Sequence, residues 1–241
     1  SATNVTIAGT VTHAQNTATN AVGGVWIPNA RVNIACGDLT LAGSGKIDVN
    51  GKGYLGGPRG ALDGCGPGGG GFVAANNSGG GGHGGAGAGR YAAPGVHGQP
   101  YGSTAAPEQP GSGGAGGDFY PAKVPPVNVL GLPGGGAVKI AATGHVLVNG
   151  QILASGSGGV STAGSGAGDS IYIVCQTFAA TNGTLNASGG NGAAWGGDSG
   201  GGGSIAVIYE PTAQSNMPPP KVSILAACGK FGSSGVDAVL G

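Results

Sequence analysis

Short runs of alternating apolar and polar residues recur along this chain, each followed by glycine or by an Asn-Gly pair. Val138-Lys139-Ile140 is followed by Gly144, Val146-Leu147-Val148, Asn149-Gly150 and Gln151-Ile152-Leu153. Leu39-Thr40-Leu41 opens the same series through Gly45, Ile47-Asp48-Val49 and Asn50-Gly51, and Ile171-Tyr172-Ile173 leads to Asn182-Gly183 and Thr184-Leu185-Asn186. A fourth copy starts at Ile205-Ala206-Val207 and resumes at Val222 after a proline-rich detour; the starts at 138, 171 and 205 lie about 33 residues apart. Such alternation, enriched in Val, Ile and Leu, predicts strands. No long window carries helical spacing, and glycine opposes a helix by about 1 kcal/mol per residue relative to alanine.

Strands this short, repeated at a fixed period, cannot each bury a face alone and must stack on their neighbours. The pattern predicts an all-β fold of stacked short-strand repeats, either a β-solenoid or a two-sheet sandwich. The three Asn-Gly pairs are expected in equivalent turns, because Asn-Gly readily takes the positive φ that tight turns require. Residues 1–20 read as an N-terminal strand or arm. There Val5, Ile7 and Val11 share one face of a run outside the repeat, and a polar stretch continues to Asn20. They are the candidates for a junction between subunits; the alternative is an ordinary first strand of the same domain. Residues 21–241 read as one glycine-rich β-repeat domain with a long excursion at 56–136.

Composition qualifies that picture. The 241 residues include 59 glycines and 15 prolines, a share that without a collagen period suits low-complexity sequence. Yet 39% of the chain is hydrophobic, and Tyr54, Phe72, Tyr91, Tyr101, Phe119 and Tyr120 punctuate the glycine tracts. The tracts are therefore expected to form an ordered layer of polyproline II segments, whose free backbone groups bond neighbouring segments. The runs 156–168 and 189–203 are expected to join it. Charge is only 7%, nine basic against nine acidic residues. A disordered chain needs more charge, and a nucleic-acid binder needs a basic excess. No apolar run approaches the roughly 18 residues of a membrane span, and the first residues lack the regions of a signal peptide, so the chain reads as already processed.

Cys36, Cys65, Cys175 and Cys228 form no Cys-x-x-Cys pair, which argues against zinc. Their even number in a chain poor in charge fits an extracellular protein with two disulfides. Three connectivities are open, with Cys36–Cys65 and Cys175–Cys228 preferred; the alternative is buried free thiols. Asn-x-Ser/Thr sequons at Asn4, Asn76, Asn182 and Asn186 permit glycosylation.

Enzymatic motifs are weak. Gly197-Asp198-Ser199-Gly200-Gly201 resembles the nucleophile segment of chymotrypsin-like proteases, but none of His13, His83, His97 and His145 lies in the sequence context of that family's base. No glycine tract reads as a phosphate loop, since Gly45-Lys46 and Gly51-Lys52 are not followed by Ser or Thr. Asp169 and Asp198 each end a glycine tract ahead of a strand and are the calcium candidates, although a single carboxylate is more often a cap. A β-helix enzyme acting on polysaccharides needs clustered carboxylates. The acids here are scattered singly. No catalytic residue, cofactor or resident metal is expected.

The succession of apolar strand, Asn-Gly, short strand, glycine tract and Gly203-Ser204-Ile205-Ala206-Val207-Ile208 resembles glycine-rich secreted β-repeat surface and filament proteins of bacteria or archaea. It also resembles the glycine-rich tips of phage adhesins. The resemblance covers about residues 39 to 210 and implies an exterior structural or adhesive role, with no function for any one residue. The expectation is a non-enzymatic structural subunit of an extracellular filament or surface assembly, secreted or held at the cell surface. Its partner is another copy of itself, joined head-to-tail by β-strand addition. An adhesin or phage receptor-binding module, meeting a cell surface or host receptor, is the alternative.

Overall fold

Every apolar run singled out above lies in or beside a strand. The computed structural model describes residues 2–58, 62–74, 77–89, 96–120, 127–159, 161–193 and 197–231. Numbered along the chain, the strands are β1 (Ala2–Ile7), β2 (Thr10–Val11), β3 (Val32–Leu41), β4 (Lys46–Asp48), β5 (Phe72–Ala74), β6 (Asn77–Ser78), β7 (Gly117–Tyr120) and β8 (Val127–Val129). They continue as β9 (Val138–Ala142), β10 (His145–Val148), β11 (Gln151–Leu153), β12 (Ser170–Val174), β13 (Thr177–Ala179), β14 (Gly183–Asn186), β15 (Ser204–Ile208) and β16 (Val222–Leu225). Between β15 and β16 lies a single turn of helix, α1 (Pro211–Gln214), capped by the Glu210 carboxylate on the N–H groups of Thr212 and Ala213.

Two sheets dominate. The larger has seven strands, in the order β13-β10-β3-β9-β12-β15, with β1 on the other side of β3; the second has the order β16-β14-β11-β4-β2. Every pairing within both is parallel. One apolar cluster joins them: Leu39, Leu41, Ile140, Ile171 and Ile173 from the large sheet meet Ile47, Ile152 and Leu185 from the small one. Each buried side chain of this size is worth about 1.5–3 kcal/mol relative to exposure. The alternation explains the sidedness, since in β9 Val138, Ile140 and Ala142 are buried while Lys139 and Ala141 are partly exposed.

This pairing overturns the expected all-β class, whether solenoid or two-sheet sandwich. The main sheet is wholly parallel, which places it with α/β-type folds. Alternation reports which residues form strands and is silent on their direction. Parallel sheets are usually covered by crossover helices. Here α1 is the one helix among the described residues, and the crossovers are glycine-rich segments.

The register also corrects the repeat. Lys46, Gln151, Thr184 and Ser223 stand side by side in the small sheet. Carried one residue back, that alignment sets Gly150 beside Gly45 and Gly183. The pairs Asn149-Gly150 and Asn182-Gly183 are therefore equivalent, whereas Asn50-Gly51 lies beyond β4, level with Ser155-Gly156. Of the three glycines only Gly51 has positive φ, at 62°. The misalignment arose because β3 is a double-length strand: Val32 to Cys36 pair with β9 and Leu39 to Leu41 with β10. The true counterpart of Val138 is Val32, not Leu39.

Glycine-rich segments fill the space beyond the strands and meet backbone to backbone. In 164–168, Gly164 and Ala167 donate their N–H groups to Ala115 and Ser112, Ser165 and Gly168 donate to Asp198 and Gly201, and Gly166 donates to Ser157. Each neighbour is thus addressed by every third residue. The segment 79–82 repeats this, with Gly79 and Gly82 donating to Gly71 and Gly68, Gly80 to Ala88 and Gly81 to Ser165. A side chain at Gly166 or Gly200 would overlap a neighbouring carbonyl.

Candidate functional site

The sheets end in open strands, and the junction candidates lie at one of those ends. β1 pairs with β3 of its own chain, Ala2 level with Cys36 and Ile7 with Leu41, while β2 sets Val11 beside Ile47. Ile7 is buried, and Val5 and Val11 pack partly buried against the core. Among the described residues nothing pairs with the outer edge of either strand.

At the opposite end lie β15 and β16. Ile208, Ile224 and Leu225 are exposed there, and Ile224 is 55% accessible. The register makes Val11, Ile47, Ile152, Leu185 and Ile224 one column through the small sheet. Its three inner members are completely buried. The two outer ones are partly bare because each lacks a neighbour on one side. None of the strands β1, β2, β15 and β16 carries a charged residue, so charge does not guard these edges.

One edge near the second end is closed. The Gln214 side chain accepts the Phe178 N–H at 2.8 Å and donates to the Phe178 carbonyl at 3.1 Å, standing in for a strand beside β13. Sequence reasoning missed this cap, since nothing in the proline-rich detour signals that a glutamine amide will satisfy a backbone.

Asp169 and Asp198, the calcium candidates, are both completely buried. Among the described residues no three His, Cys, Asp or Glu side chains gather as a metal site. Asp169 instead accepts the Ser170 N–H within a polar cluster. Ser170 Oγ donates to the Gln109 carbonyl at 2.7 Å and lies 3.3 Å from His83 Nε2, and Ser112 Oγ donates to Tyr101 Oη at 3.0 Å. The His83 ring packs edge-on against Tyr101, 4.9 Å between centroids. Burial raises the Asp169 carboxyl well above the usual range, against the opposing hydrogen bonds from Ser170. Burial also lowers His83 to about 4 and, with the Asp169 charge adding to it, pushes Tyr54 up to about 12. Asp169, Ser170, His83 and Ser112 are all buried, so the cluster ties the glycine layer to the start of β12 rather than facing a substrate.

Ser199 of the protease-like segment is likewise completely buried, and its hydroxyl meets no histidine. The expected disulfides are corrected: Cys36, Cys65, Cys175 and Cys228 are free. Cys36 and Cys175 belong to the apolar core, while Cys65 donates its N–H to Leu55 in the glycine layer. The register places Cys36 and Cys175 on either side of Ala142, two strand spacings or ~9.6 Å apart, beyond the reach of a disulfide. Burial raises the thiols of Cys36, Cys65 and Cys175, the last to about 11. Of the sequons, Asn4 and Asn182 are exposed and Asn186 is half-buried, its side chain accepting the Ser188 N–H. Asn76 lies outside the described residues, as does Tyr91.

An apolar cavity of about 590 Å³ opens in the glycine layer, lined by Leu55, Pro58, Leu62, Leu130 and Pro133 among others. No helix among the described residues is long and apolar enough to cross a membrane. Comparison with known proteins finds no family model, curated protein or solved structure that matches this chain.

Proposed function

We propose that the chain is a non-enzymatic structural subunit of an extracellular filament or surface assembly, polymerising head-to-tail by β-strand addition. The column from Val11 to Ile224 carries this reading. Setting Ile224 of one copy on Val11 of the next would bury both and continue the small sheet. Because every strand in the sheets is parallel, the added copy keeps the same direction. Such a contact joins unlike ends and propagates instead of closing on itself. The formal net charge is zero, so subunits repel one another little. Main-chain bonds at an open edge give affinity, and alternate side chains give register.

The test is polymerisation, followed by electron microscopy and sedimentation. Deleting residues 1–20 should leave a subunit that folds and no longer polymerises. Because Ile7 belongs to the core, Ile224→Lys supplies a second test that leaves the core untouched and is expected to abolish polymers in the same way. A full-length chain that stays monomeric at high concentration overturns the reading. It would favour the adhesin or phage receptor-binding alternative, whose support is the 590 Å³ apolar cavity.

A further inference from the structure

The three Asn-Gly pairs share a sequence and differ in what holds them. Asn50 Oδ1 accepts the Ser155 N–H at 2.8 Å, and the Gly51 N–H donates to the Ser155 carbonyl at 2.9 Å, so both members are tied to the next strand. Asn149 Oδ1 accepts the Thr181 N–H at 3.0 Å and the Thr181 hydroxyl at 2.8 Å. Asn182 has no such tie: it is exposed, in the bend before β14, and its side chain makes no hydrogen bond among the described residues.

The register gives the reason. Gln151, Thr184 and Ser223 are level, so two residues back Asn149, Asn182 and Lys221 are level too. Asn149 is held by the residue that precedes its counterpart Asn182. The matching donor for Asn182 is the residue that precedes Lys221, and this is Pro220, which has no N–H. The latch that repeats from strand to strand therefore stops at Asn182. Gly183 donates its N–H to the Lys221 carbonyl at 3.2 Å, the long end of the normal range, and glycine leaves that nitrogen unhindered by a side chain.

We infer that Asn182-Gly183 is a self-modifying site, at which the folded chain converts Asn182 to aspartate and isoaspartate without an enzyme. The Gly183 nitrogen attacks Asn182 Cγ, and its proton passes through solvent to Nδ2 as the Cγ–Nδ2 bond breaks and ammonia leaves. Water then opens the cyclic imide at either carbonyl. Opening toward isoaspartate puts one extra carbon in the backbone immediately before Gly183, which is level with Val222 of β16 and packs so closely on the Val148 carbonyl that a side chain there would overlap it. The pairing of β14 with β16 is where that carbon must be absorbed. Its consequence for assembly, a loosened β16 and a weaker docking end, rests on the head-to-tail reading; the chemistry does not.

Peptide mapping by mass spectrometry of the full chain, aged in mildly alkaline buffer, tests the site. In the folded protein Asn182 is expected to convert about tenfold faster than Asn50 or Asn149, the factor that one ordinary hydrogen bond on the amide supplies. In denaturant the three should convert at similar rates. Pro220→Ala restores the missing donor and is expected to slow Asn182 to the rate of Asn149. Equal rates at the three sites in the folded chain, conversion at Asn182 only in denaturant, or a glycan on the Asn182 amide of the native material overturns the inference. Polymer yield is the separate readout for assembly: ageing should lower it in the parent and not in Asn182→Ser. Converted chains that polymerise as well as fresh ones overturn the consequence for assembly, whereas fresh chains that never polymerise overturn the head-to-tail reading and leave the modification standing.

Discussion

Gly37 of β3 lies directly beneath the carbonyl of Thr3 on β1, so close that a methyl group at position 37 would overlap that oxygen. The N-terminal strand thus keeps its place because one residue of its partner has no side chain. Gly37→Ala is expected to lift the first half of β1 and cost about 1–3 kcal/mol. Hydrogen exchange at Thr3 to Val5 is expected to quicken while β9 and β12 stay protected. Unchanged exchange along β1 would show that the close approach is not what seats it.

The Gln214 cap on β13 gives a second prediction. Gln214→Ala leaves the N–H and C=O of Phe178 unsatisfied at a half-covered edge, a loss of about 1–3 kcal/mol. The freed edge is also a template for pairing. A lower melting temperature together with irregular aggregates in light scattering is expected, and a lower melting temperature with clean monomers would argue that Gln214 serves packing alone.

The glycine layer makes a graded prediction. At Gly200 an added methyl would collide with the Gly166 carbonyl, whereas at Gly9 nothing lies within 4 Å. Gly200→Ala is expected to cost about 3 kcal/mol or more, and Gly9→Ala to stay within about 0.5 kcal/mol of the parent. Chemical denaturation of the two variants side by side checks it; equal costs would mean that the segments repack freely.

The two buried titratable groups act with opposite signs on stability. His83 is lowered from 6.5 to about 4, so between those values the unfolded chain binds the extra proton and stability is lost as pH falls through the window. The loss is on the order of 3 kcal/mol. Asp169 is raised, so the folded protein holds a proton that the unfolded chain releases above about 4, and stability is lost as pH rises. His83→Gln is expected to remove the acid-side loss and Asp169→Asn the loss on the rising side. Denaturation midpoints measured from pH 4 to pH 7 would show parallel curves for parent and variants if neither group were coupled to folding.

How far the sequence discloses this arrangement depends on whether side chains carry the information. Strand positions were legible because Val138, Ile140, Ile171 and Ile173 alternate with polar or outward residues, and burial follows that alternation. Strand direction was not legible, because it is set by where the glycine-rich crossovers return the chain. The register failed at β3 for a related reason: Leu39 and Val138 look alike, and only the pairing shows that Val138 belongs beside Val32. The open column ending at Val11 and Ile224 was out of reach as well, since a neighbour's absence leaves no trace in local sequence. The cysteines misled, because an even count says nothing of the two strand spacings that separate Cys36 from Cys175.

The donors of the glycine segments address the same neighbour only at every third residue. A single residue inserted into 164–168 would turn all following N–H groups by a third of a revolution, so that each faced the wrong strand of backbone. Deletions and insertions here are therefore quantised: length can change by three residues and keep every partnership, or by one or two and forfeit them together. Evolution of such a layer must proceed in triplets of amino acids, a reading frame written in hydrogen bonds.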